Sequence, residues 1–231
     1  MSVKNLVIVA VSLTSASFVV NAPAMAVTLG FEGLPSTSLI SGTPPANTVL
    51  TDDFAADGII FGKAGTSAGV AVINNPSGVA FGSNAIAGLN AAGDLVFALS
   101  ADIFFNFVLP GTTTPGVTDS VSFTIGDIGG DLDIFDIRAF DLNNQLLFSQ
   151  NVSGDSFFPV TINAAGINRV EVDFDNTSLA GYGLDNLSFN TPVPIVQNIP
   201  EPTPTLGLLA LGTLGAASTL KRQLKPSKPQ K

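Results

Sequence analysis

The chain runs to 231 residues with no cysteine and no histidine, which excludes disulfides, thiol catalysis, thiolate metal sites and an imidazole base. Residues 27–199 hold only three basic residues, Lys63, Arg138 and Arg169, against seventeen acidic ones. A body with that balance repels phosphate backbones, which argues against nucleic acid as a partner, and suits a soluble extracellular protein or a divalent cation.

The first 26 residues place Lys4 before an apolar run from Leu6 to Val20 and end on Ala24-Met25-Ala26. A positive residue, an apolar core and a small-residue site in that order predict a signal peptide, cut by signal peptidase after Ala26. Val27 then begins the mature chain. The alternative is a buried N-terminal helix.

Between 27 and 190, Gly, Asn, Asp, Ser and Thr interrupt the chain at short intervals and no helical stripe persists. Strands are expected near 27–32, 58–62, 70–73, 95–99 and 102–109. Over 120–125 the apolar set is Val121, Phe123 and Ile125, alternating with hydroxyls. Asn143-Asn144, between IRAFDL and QLLFSQ, predicts a hairpin turn because Asn tolerates positive φ. A strand near 157–162 follows, and over 169–175 Val170, Val172 and Phe174 face one way while four charges face the other. The last strand is expected near 184–190. One-sided alternation marks antiparallel sheets with one wet face. The fold class is therefore all-β, an antiparallel, jelly-roll-like β-sandwich over 27–190 with sixteen of the chain's seventeen Phe in place of Trp to fill its core.

Chemistry is sparse in this body. GDIGGDLDIFD, 126–136, breaks the EF-hand pattern at Phe135 and the glycine-rich Ca²⁺ nonapeptide at Leu132, and is read as an acidic turn. Asp173 and Asp175 alternate with apolar residues as an ordinary outer face does. With no nucleophile motif either, the chain is read as no enzyme. Asp185 shares strand parity with Leu187 and Phe189, which predicts a carboxylate on the buried face, where it must be neutralised or paired. With so few basic residues, Ca²⁺ is a natural partner; a solvated strand end or backbone N–H groups are the alternatives. Tyr182, the single tyrosine, lies between Gly181 and Gly183 and either lines a small ligand site or caps a loop.

The C-terminal part changes character. Five prolines from Pro192 to Pro204 make 191–203 an extended spacer. From Leu206 to Leu220 no residue is charged. At ~1.5 Å per residue this spans about 22 Å, thin for a ~30 Å hydrocarbon core. A transmembrane helix is expected over 204–222, with Lys221 and Arg222 as the stop-transfer pair and 223–231 as a basic cytoplasmic tail.

Pro200-Glu201-Pro202, the short Gly/Ala/Leu helix and Lys221-Arg222 together resemble the PEP-CTERM sorting signal of Gram-negative bacteria, over about the last thirty residues. The resemblance implies processing by an exosortase, a transient stay in the inner membrane, and delivery to the cell surface or extracellular matrix in the company of exopolysaccharide. A plain single-pass anchor is the alternative. LGFEGLP, TDDFAADGIIF and GYGLDNLSF resemble the galactose-binding-like β-sandwich domains. That resemblance implies a structural Ca²⁺ where first and last strands meet, held by Glu32 and Asp185 with backbone carbonyls. The whole reads as an exported, non-enzymatic surface or matrix protein that interacts with exopolysaccharide. A carbohydrate-binding module with a defined glycan ligand is the alternative.

Overall fold

The computed structural model describes residues 25–39, 41–62, 68–74, 84–96, 101–126, 132–174 and 182–195. The chain divides into two compact units, Met1–Pro194 and Ile195–Lys231, and every described strand belongs to the first. In chain order these are β1 (Ala26–Leu29), β2 (Ser41–Gly42), β3 (Val49–Leu50), β4 (Ile59–Phe61), β5 (Val70–Ile73), β6 (Ala85–Gly88) and β7 (Leu95–Val96). They continue with β8 (Ile103–Phe107), β9 (Thr118–Gly126), β10 (Asp133–Phe140), β11 (Leu146–Gly154), β12 (Phe158–Ile167), β13 (Arg169–Phe174) and β14 (Gly183–Asn190).

The strands build an all-β, antiparallel sandwich. One sheet has the order β12-β9-β14-β6-β5-β3, with β1 also on β14; the other has the order β11-β10-β13-β8-β4. β2 and β7 form a small separate pair. Alternation assigns the inner faces: Val121, Phe123 and Ile125 from β9 and Ile103, Phe105 and Phe107 from β8 are buried in one cluster. Ring contacts cross between the sheets, Phe105 to Phe123 at 6.4 Å and Phe107 to Phe189 at 5.1 Å between centroids. Edge-on and tilted rings of this kind add to simple area burial.

The hairpin expected at Asn143-Asn144 joins β10 to β11. Asn144 takes φ 60, and the Asp141 carboxylate accepts the backbone N–H groups of Asn143 and Gln145, both at 2.8 Å. Three strands carry no sequence signal: β2 and β3 are too short to alternate, and β6 reads Ala-Ile-Ala-Gly. β6 and β5 are buried on both faces. A second cluster of Ala71, Ile73, Ala85, Leu89 and Leu95 covers the side away from the main core, so no polar phase remains. The expectation of an acidic turn over 126–136 needs correction at its end, because Asp133 is the fully buried first residue of β10.

The strand parity expected for Asp185 is also corrected. Leu184 lies opposite Ile125 in the core, and Asp185 opposite Thr124 on the other face of the sheet. Asn186 then adopts φ 54 and the register slips before Ser188, returning Leu187 to the core. One extra residue in a strand reverses every side chain beyond it. Asp185 therefore does not share a side with Leu187 and Phe189, although it is still buried.

Residues 1–24, the Pro200-Glu201-Pro202 motif, the segment 204–222 with Lys221 and Arg222, and the tail 223–231 lie outside the described residues. Among those described, no helix is long and apolar enough to cross a membrane. The residues flanking the expected signal cleavage are engaged: Ala26 pairs with Asn190, and the Met25 carbonyl accepts the backbone N–H and the hydroxyl of Thr191, both at 2.8 Å.

Candidate functional site

The outer face of the five-stranded sheet gathers the chemistry that the body otherwise lacks. Register sets it out in three rows across neighbouring strands. The first runs Asn151, Asp136, Asp173, and the second Ser149, Arg138, Glu171, Phe104. The third runs Phe140, Arg169, Asn106, Ile60. Two of the three basic residues of 27–199 thus stand side by side on one surface.

Both guanidinium groups reach a carboxylate in a neighbouring row. Arg138 Nη2 donates to Asp173 Oδ2 at 2.6 Å, and its Nε lies 3.8 Å from Glu171 Oε2. Arg169 Nε lies 3.0 Å from Glu171 Oε1, while its Nη1 donates to Asn144 Oδ1 at 2.7 Å. The Arg169 guanidinium also covers the Phe140 ring, 4.4 Å from its centroid. Asp136 and Asp173 are opposite one another, an arrangement that repels. Arg138 relieves one side and Asn151, donating to Asp136 Oδ1 at 2.9 Å, steadies the other. A planar guanidinium fixed at several points and stacked on a ring is pre-organised for directional hydrogen bonding.

Phe104 and Phe140 are half-buried on this face. The signal for both was present in the sequence as large apolar residues out of phase with their strands. Phe104 lies between Ile103 and Phe105, and Phe140 follows the inward Phe135, Ile137 and Ala139. Asp173 lies on the outer face as its strand pattern expects, and there it joins this ion-pair network.

At the other sheet the Glu32 charge acts on Asp185. The chain after β1 turns at 31–34, where the Asn84 amide donates to the carbonyls of Phe31 at 2.9 Å and Leu34 at 3.2 Å. The Asn84 backbone N–H approaches Glu32 Oε1 at 3.4 Å. Burial holds the Asp185 carboxyl above the usual aspartate range; the Asn186 backbone N–H opposes that shift and the Glu32 charge adds to it. Two carboxylates, one of them raised, offer the hard oxygen donors Ca²⁺ takes, and backbone carbonyls and water would have to complete its six to eight ligands. Among the described residues no group of three or more Asp, Glu, His or Cys is arranged to hold a metal ion.

Tyr182 is buried. Its hydroxyl donates to the Ala101 carbonyl at 2.7 Å and its ring meets Phe135 edge-on at 5.1 Å. It closes the end of the core and offers no ring face to a ligand at the surface.

No family model and no curated protein sequence matches this chain. Among solved structures, a cleaved adhesin domain of Lys-gingipain is similar at 13% identity over 71% of this chain and 97% of its own, with a TM-score of 0.40. A second, from Porphyromonas gingivalis, is similar at 17% identity over 72% and 98%, with a TM-score of 0.39. A family 29 carbohydrate-binding module is similar at 11% identity over 74% and 87%, with a TM-score of 0.37. Values this low assign neither family nor function.

Proposed function

We propose that this is an exported, non-enzymatic surface or matrix protein whose sandwich holds a glycan polymer on the outer face of its five-stranded sheet. The observation that carries the reading is the juxtaposition of Arg169 stacked on Phe140, Arg138, Glu171 and Asp173 with the half-buried Phe104. Ring faces take the C–H side of a sugar, while fixed carboxylates and guanidinium groups take its hydroxyls. The acidic body directs this surface toward neutral polymers and away from anionic ones. Ca²⁺ at Glu32 and Asp185 belongs to the same reading as an ion that ties the turn after β1 to β14.

Affinity electrophoresis through soluble neutral polysaccharides, glucans and xylan among them, with an anionic polysaccharide as the contrast, tests the site. The wild type should be retarded by at least one neutral polymer. Phe140→Ala and Arg169→Ala should each weaken that retardation about tenfold or more, the loss of a central contact worth ~1.4 kcal/mol or above. Retardation by no polymer, or unchanged retardation in both variants, overturns the reading.

Export and sorting belong to the proposal through the two ends of the chain. Mass spectrometry of the surface-released protein should find Val27 at its N-terminus and no peptide from Leu206 onward. Cleavage there removes Met25 and Ala26, and with them the two hydrogen bonds to Thr191, while leaving Val27 paired with Phe189. Recovery of 206–225 from the released form would leave the tail as a plain anchor.

A further inference from the structure

We infer that β11 is a seam along which two copies of this chain pair, antiparallel and two-fold, to make one continuous ten-stranded sheet from two five-stranded ones. An edge strand presents a row of unpaired N–H and C=O groups, and natural sheets blunt such edges with shortness, charge, proline or bulges. Among the described residues the other edges are blunted, β1 by its length of four residues. β3 has two residues and β4 three, while β12 carries Pro159 and an irregular register between Asn163 and Ile167. β11 is nine residues, LLFSQNVSG, largely exposed, with neither charge nor proline, and its register is regular from Phe148 to Gly154. Among the described residues it pairs with β10 alone.

Polarity along the strand selects a second copy as the occupant. Phe148, Gln150 and Val152 share the core-facing side, opposite Ala139, Ile137 and Phe135; Ser149 and Asn151 share the outer side. A two-fold axis through Gln150 sets Phe148 against the partner's Val152 and Ser149 against the partner's Asn151. Moving the axis by one residue sets Gln150 against an apolar residue, and a half-step mixes the two faces. Charge leaves this edge open to a copy of the chain. Two bodies with seventeen acidic residues each repel, and β11 is a long edge at which no ionisable side chain meets its own copy. An isologous contact of this kind closes on itself and stops at a dimer. The rows beginning at Ser149 and Asn151 would run on across the seam, doubling the outer face for a repetitive polymer. The pairing itself stands without the glycan reading.

The absence of native cysteine makes the register directly testable. In the full chain, Gln150→Cys puts one thiol opposite its own copy, at the separation of directly opposed cross-strand residues, so mild oxidation should convert most of it to a covalent dimer. Thr161→Cys, exposed on β12, should stay monomeric under the same conditions. By sedimentation equilibrium in a non-ionic detergent, the wild type should show twice the 23.6 kDa chain mass, and Gln150→Lys should return the single mass. Equal cross-linking of the Gln150→Cys and Thr161→Cys chains overturns the seam, as does a mass that Gln150→Lys leaves unchanged. A Gln150→Cys adduct with another protein, in place of the dimer, overturns the choice of a second copy.

Discussion

A Phe105→Ala chain should melt about 6–20 °C below the wild type, from a loss of ~3–5 kcal/mol at ~2–4 °C per kcal/mol. Phe105 is fully buried on β8, the inner strand that faces the opposite sheet. Its ring meets Phe61 at 6.3 Å and Phe107 at 5.9 Å within its own sheet, and Phe123 at 6.4 Å across the sandwich. Truncation therefore opens a cavity between two sheets whose backbones are each fixed by hydrogen-bonded ladders and cannot close over it. Val193→Ala is the comparison. Val193 is 55% exposed, and its loss should move the melting temperature by no more than about 2 °C. Calorimetry of both variants decides: equal shifts would mean that the Phe cluster does not join the sheets as described.

The second large effect concerns Asp185 and reverses sign with Ca²⁺. Its carboxyl is raised in the folded state, by burial first and by Glu32 besides, so the ionised form weakens the fold. That cost is fully present above the folded pKa, shrinks as pH falls through it, and is gone below the unfolded value. In EDTA, then, the wild type should gain stability on mild acidification across that window. Asp185→Asn, neutral at every pH, should melt at or above the wild type at neutral pH and lose that part of the pH dependence. In millimolar Ca²⁺ the order inverts. Free ion at 100 times its Kd adds about 2.7 kcal/mol to a fold that binds it. The wild type should rise by roughly 5–10 °C. Asp185→Asn should show little of that gain, because it keeps an oxygen but loses the charge. Asp173→Asn, on the other sheet, should keep the Ca²⁺ response. Wild-type melting curves that coincide in Ca²⁺ and EDTA would remove the ion from the site and leave Asp185 to the Asn186 N–H alone.

Polymer binding and pairing at β11 are separable in experiment although they meet in space. Gln150→Lys acts on the seam and leaves Phe140 and Arg169 in place, so it should lower avidity for a long polymer more than affinity for a short oligosaccharide. Phe140→Ala acts on both polymers alike and leaves the mass of the assembly unchanged.

Local pattern determined much of this molecule. Val121, Phe123 and Ile125 alternate with hydroxyls, and nothing but a half-buried strand satisfies that period. Asp141 and Asn144 carry their own turn, one by accepting two backbone N–H groups and the other by tolerating positive φ, so the β10–β11 hairpin needs no distant partner. Tertiary structure decided the rest, because the information lies between strands. Arg138, Glu171 and Asp173 read in sequence as scattered surface charges and become one network only when β10 and β13 pair in a particular register. β6 has no visible period because a second small core covers its other face. Asp185 shows the limit most sharply: alternation assigns it to the inside with Leu187, but a single bulge at Asn186 puts it on the other face, beside the turn that carries Glu32. A period of two holds only while no residue is inserted, and whether one is inserted depends on what the neighbouring strand requires.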